Sequence, residues 1–173
     1  MGAWSGPFLI AALLLAGAGV AKALDPTTTV GALRKLGLDV PAVIVRTGGV
    51  GEAGLAAVAV VTGAPVAAVL VAASYLGFTA FVVVARVRRL PIGSCGCFGR
   101  IDTPPSAIHV VVNLGAAVSA LAVAWRDGGG IGPVLADQPL AGVPFVLLAV
   151  TGAYAAFTAL TVVPQLALLR RVK

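Results

Sequence analysis

Five long apolar blocks, none holding more than a charge or two, dominate what this chain can fold into. They run from about Pro7 to Leu24, Pro41 to Thr62, Pro65 to Ala85, Pro105 to Trp125 and Val143 to Leu169. Each is long enough, as a helix rising about 1.5 Å per residue, to cross roughly 30 Å of hydrocarbon. Their apolar residues are not confined to the stripe, repeating every 3.6 residues or so, that marks a surface helix. The chain is 60% hydrophobic and 10% charged, where soluble domains run at about 45–50% and about 25%. That leaves too little polar surface for a soluble enzyme, a disordered tail or a disulfide-rich secreted scaffold. The expected fold is all-α: a polytopic membrane helical bundle of about five transmembrane helices, forming one integral-membrane domain over residues 1–173.

Punctuation agrees with the blocks. Prolines 7, 41, 65 and 105 fall where helices should start, because a missing N–H costs nothing in a first turn. Only Gly63 and Ala64 separate the second and third spans, which predicts a tight helical hairpin. Residues Thr27 to Leu38 read as a short interfacial helix, with Thr27, Thr28 and Thr29 available as caps and Arg34 and Lys35 on a polar side. Gly128, Gly129, Gly130 and Pro139 mark the loop before the last span.

The net charge of +6 is distributed like that of a membrane protein, not a nucleic-acid binder, since no basic run with interleaved aromatics occurs outside the loops. With five spans, one side holds Lys22, Arg34, Lys35, Arg46, Arg86, Arg88, Arg89, Arg100, Arg170, Arg171 and Lys173, and the other holds Arg126 alone. Basic residues collect in cytoplasmic loops, so the N-terminus is expected outside and the C-terminus inside. Ala21-Lys22-Ala23 resembles a signal-peptidase site, but Met1 to Phe8 lacks the basic residues of a signal peptide. Cleavage would also export ten basic residues, so the first block is expected to remain a span.

Chemistry concentrates in a short loop. The only two cysteines, Cys95 and Cys97, lie in Ser94-Cys95-Gly96-Cys97-Phe98-Gly99, between Arg89 and Pro105. A pair bracketed by glycines in a loop points to a dithiol that cycles with a disulfide. With one residue between them the closed ring is small, hence strained and relatively oxidising. The start of the fourth span and Arg100 both favour the reactive thiolate. The single histidine, His109, falls one turn inside that span, and Asn113 shares its face. His109 is expected to exchange a proton with one cysteine, or to orient a redox partner such as a quinone. Glu52 is the one acid well inside a span, among Gly48, Gly49, Gly51 and Gly54. An ion pair with Lys22 or Arg46, or a packing hydrogen bond, is favoured for it over a proton relay. Asn113 and Glu52 are the candidates for contact with a cofactor.

These residues resemble a known family. A first span ending in Lys22, a second with Glu52, and Cys95-Gly96-Cys97-Phe98-Gly99 ahead of His109 and Asn113 are similar to the MauE family, methylamine-utilisation membrane proteins related to the DoxX-like group. The likeness runs from about Pro7 to Ala124, and the cysteine motif is its most specific part. The resemblance implies an inner-membrane protein that supports maturation of a disulfide-rich periplasmic amine dehydrogenase subunit beside a thioredoxin-like partner. Cys95, Cys97 and His109 would then be the catalytic residues. Two other readings stay open: a non-catalytic assembly partner, and a site for Cu(I) or Zn²⁺ built from Cys95, Cys97 and His109. Disulfide chemistry belongs in the periplasm, whereas the charges place the cysteine loop in the cytoplasm. Either the pair serves a cytoplasmic thiol system, or the segment from Ile92 to Phe98 re-enters the membrane under cover of protein or water.

Overall fold

A computed structural model describes residues 2–92, 104–126 and 130–163. Seven helices occupy them: α1 (Ser5–Leu24), α2 (Thr27–Lys35), α3 (Ala42–Thr62), α4 (Pro65–Val87), α5 (Ala107–Arg126), α6 (Ile131–Asp137) and α7 (Pro139–Thr161). No strand occurs among the described residues. Helices α1, α3, α4, α5 and α7 are long and apolar enough to cross a membrane, so the five expected spans are present. Residues 164–169 of the last expected span lie outside the described residues.

The ends of the helices show the backbone chemistry that stops them. At the close of α3, Gly63 takes a left-handed φ of +61° and returns its N–H to Ala59. Pro65 then opens α4. After α2, Gly37 donates to the Arg34 carbonyl and Leu38 to that of Leu33, the paired bonds of a Schellman turn. The same turn ends α4, where Arg89 donates to Arg86 and Leu90 to Ala85. There the left-handed residue is Arg89, at φ +49°, a conformation that glycine adopts more cheaply.

Four sequence expectations are adjusted. The N-cap position of α2 is Pro26, not a threonine, and the Asp25 carboxylate just before it accepts from the Thr27 amide and hydroxyl. Pro105 precedes α5 instead of opening it. The stretch before the last span contains the short helix α6, and α7 begins at Pro139, not Val143, with Pro144 inside its second turn. Finally, α3 and α4 share the two-residue turn, yet α3 packs chiefly on α1, and α4 on α5. Glycines decide the first of these pairings. A Cβ on Gly19 would lie 2.6 Å from the Gly49 carbonyl oxygen and from the Ala53 nitrogen, so α1 and α3 cross backbone to backbone.

The core is built of small residues. Ala11, Ala12, Ala56, Ala59, Ala68, Ala72, Ala117 and Ala120 are buried with Phe8, Leu15 and Val71, while Leu140, Leu148, Val66 and Val87 are exposed. This is the pattern expected where lipid is as apolar as leucine and helices associate through close contact. Tyr75 locks α4 to α1 by donating a hydrogen bond to the Ala11 carbonyl at 2.6 Å.

Candidate functional site

Both flanks of the cysteine loop are anchored at one end of the bundle. Ile92 is buried against Ala32 of α2 and Ala85 of α4, and the Lys35 ammonium donates to the Pro91 carbonyl. On the far side of the loop, Arg86 donates to the Pro105 carbonyl at 3.4 Å. Cys95 and Cys97 lie outside the described residues. Arg34, Arg88 and Arg89 share this end, whereas Gly130 packs against Thr62 and Gly63 at the opposite one.

Ser106 and His109 open α5 with a reciprocal cap. The His109 amide donates to the Ser106 carbonyl at 3.2 Å. In return the Ser106 amide donates to His109 Nδ1 at 3.3 Å, and the Ser106 hydroxyl lies 2.8 Å from the same nitrogen. This is the back-reaching half of a capping box, with histidine in the place usually taken by Glu or Gln, while the Ser106 hydroxyl turns to the ring and not to the His109 amide. A backbone amide can only donate, so Nδ1 is the acceptor of that bond. The ring is buried.

His109 and Asn113, also buried, line a small chamber closed by Leu15 and Ala18 of α1, Tyr75 and Phe78 of α4, and Leu160 of α7. Its free volume is about 20 Å³, room for one water molecule, with polar groups from His109 and Asn113 on its wall. Tyr75 and Phe78 meet edge to face, with centroids 5.8 Å apart.

A second, larger cavity lies on the other side of Phe78. It measures about 370 Å³ and sits between the end of α1, α2, α3 and α4. At its base Lys22 and Glu52 form an ion pair, their side chains 7% and 22% exposed. The Lys22 ammonium also sits 4.4 Å from the centre of the Phe78 ring, close enough for cation–π attraction. Each ion therefore has a partner for a charge that would be costly alone in the membrane. Arg46, the other partner weighed for Glu52, is exposed.

The structure thus brings His109 and Asn113 together, as their spacing predicts, and places Glu52 in a different cavity. Lys22 and Glu52 are paired across 30 positions, which charge economy suggests and spacing alone does not. Phe78, which lines both cavities, and Ser106, which holds the histidine, were not singled out in the sequence. A serine three residues ahead of a polar residue at a helix start was the available signal for Ser106. Among the described residues no group of three or more His, Cys, Asp and Glu could hold a metal ion; the set Cys95, Cys97 and His109 depends on residues outside them.

Five hydrophobic helices around buried ionisable groups define a multi-pass membrane protein. The family model of methylamine utilisation protein MauE matches residues 2–126, which takes in every helix from α1 to α5, and the chain belongs to that family. No curated protein matches the chain, and no solved structure does.

Proposed function

We propose that the protein is a membrane thiol–disulfide redox protein that relays electrons through Cys95 and Cys97 to or from a thioredoxin-like partner. In this reading it supports maturation of disulfide-containing clients of the amine dehydrogenase type. Membership of the methylamine-utilisation family supports it. The observation that carries it is the placement in the sequence of the chain's only cysteines and only histidine: the cysteines fall between Ile92 and Pro105, which rest on α2 and α4, and the histidine opens the helix that follows.

The exchange balances within the pair. One thiolate attacks a disulfide of the partner and displaces a thiolate, forming a mixed disulfide. The second cysteine then displaces the partner's other sulfur, so two electrons leave this chain and its dithiol becomes a disulfide. The reverse sequence reduces it. His109 would exchange a proton with one of the cysteines, from a ring already oriented by Ser106.

Trapping tests the proposal. A Cys95→Ser or Cys97→Ser variant expressed in cells should accumulate a mixed disulfide with a thioredoxin-like protein, visible on a non-reducing gel and lost on reduction. His109→Ala should slow exchange with the fold intact. A Cys95→Ser/Cys97→Ser variant that supports client maturation fully would show an assembly partner instead. Metal bound stoichiometrically and lost in Cys95→Ser would favour the metal site. Labelling the two thiols from each side of the membrane reads out the compartment they face.

A further inference from the structure

The cavity over Lys22 and Glu52 has the features of a ligand site. Its volume of about 370 Å³ is within the range of small-molecule sites, about 300–1,000 Å³. Phe78 and Phe81 supply aromatic walls. Gly48 on α3 and Gly77 on α4 also line it, and a Cβ on either would meet nothing within 4 Å. The space exists because two facing helices lack side chains there, not because their backbones are held apart by bulk. Ile44, Gly48 and Gly77 are exposed on the bundle's outer face, where lipid would lie, so the cavity opens sideways into the membrane.

We infer that this cavity binds a membrane-soluble quinone, the two-electron acceptor or donor for the cysteine pair. The inference rests on the redox reading above and gives that reading its lipid-phase partner. The ion pair argues for the head group. Lys22 and Glu52 together are neutral, so a further anion such as a phosphate would add an unpaired charge in a low-dielectric site. A neutral ring bearing carbonyls adds none. One carbonyl accepts from the Lys22 ammonium, which has three donors, and a hydroxyl formed on reduction donates to the Glu52 carboxylate. The flat ring packs against Phe78 and Phe81, and an apolar tail leaves through the lateral opening.

The last described residue before the thiols lies beside this site. Phe81 packs against the cluster of Ala32, Ala85 and Ile92, and Cys95 follows Ile92 by three residues. On its other side Phe78 borders the chamber of His109. The redox balance is complete: oxidation of the two thiols to a disulfide releases two electrons and two protons, and these convert one quinone into one quinol.

The test uses the full chain in lipid nanodiscs, with decylubiquinone and menadione as probes. Equilibrium dialysis should show saturable binding of one of them, one per chain above empty discs. Gly77→Leu and Gly48→Leu fill the cavity from opposite helices. Each should weaken binding at least tenfold while keeping the wild-type elution profile. Cys95→Ser/Cys97→Ser should bind as wild type but, unlike the pre-reduced wild-type protein, form no quinol by absorbance. Absence of saturable binding for both probes, or wild-type affinity in both filled variants, overturns the site. Binding lost on filling, with no quinol formed even by the reduced wild type, keeps the cavity as a quinone site and overturns its coupling to the thiols.

Discussion

Four glycines lie within seven residues of α3, and the structure assigns them unequal roles. Gly49 faces α1: a Cβ there would lie 2.7 Å from the Gly19 carbonyl oxygen, 2.8 Å from the Ala23 nitrogen and 2.9 Å from the Lys22 Cβ. Gly48, Gly51 and Gly54 would meet nothing within 4 Å. Ordinary contact begins at 3.4 Å, so Gly49→Ala forces α1 and α3 apart by about 0.7 Å along the shortest approach. Two of the three obstructing atoms are backbone and cannot rotate away. Overpacking of this kind costs about 1–3 kcal/mol. Gly48→Ala has the same gain in helix propensity, about 1 kcal/mol, and no obstruction. Comparing the two neighbours removes the propensity from the difference and leaves the packing. The expected result is that Gly49→Ala lies about 1–3 kcal/mol below Gly48→Ala in stability, measured by reversible unfolding in mixed dodecyl sulfate micelles followed by circular dichroism. Gly19→Ala, blocked at 2.6 Å by the same crossing, should fall with Gly49→Ala. Equal midpoints for the two alanine neighbours would refute the glycine crossing as what holds α1 to α3.

The ion pair predicts an asymmetric cycle. Lys22→Met leaves Glu52 without its partner and should cost about 3–5 kcal/mol, most of it recovered in Lys22→Met/Glu52→Leu; additive losses in the same unfolding assay would contradict the pairing. Tyr75→Phe removes the 2.6 Å hydrogen bond to the Ala11 carbonyl and should cost about 1 kcal/mol. No change would mean the bond does not help hold α4 to α1. Arg89→Gly relieves a left-handed residue at φ +49° and should add about 1 kcal/mol, read as a higher midpoint than wild type.

The spans were legible because burial in lipid needs no pattern finer than length and apolarity. Prolines located helix starts to within two residues, except at α7. There Pro139 occupies the first turn and Pro144 the second, where its missing N–H leaves the Leu140 carbonyl without its usual donor. Leu140 is 93% exposed, so this happens at the helix rim, outside the packed core. Helix α6 was hidden because a seven-residue helix beside three glycines carries no periodicity to detect. Helix pairing was equally hidden. A short turn suggested that α3 lies on α4, but which faces meet is set by where backbones can approach, and Gly49 differs from Gly48 only in its direction. In the candidate site, the shared face of His109 and Asn113 followed from a four-residue spacing. The cavity beside Glu52 did not, since it is made by the absence of side chains at Gly48 and Gly77, from different helices.

Stability and chemistry are divided along the bundle. The buried Lys22 and His109 and the half-buried Glu52 sit with the two cavities near the end where α2 meets Ile92 and α4 meets Pro105. Toward the other end the contacts between α1, α3, α4 and α5 are made by alanines such as Ala12, Ala56, Ala68 and Ala120. In a bilayer no hydrophobic force drives helices together, so a cavity persists only if close contact elsewhere fixes the helices that border it. The glycine crossing of α1 and α3 serves that purpose here: one turn beyond Gly19 it delivers Lys22 to Glu52, and it holds the wall of the larger cavity in place. The same contact that makes the fold rigid therefore positions the pair that polarises the site. A variant that loosens the crossing should lose quinone binding before it loses its helices.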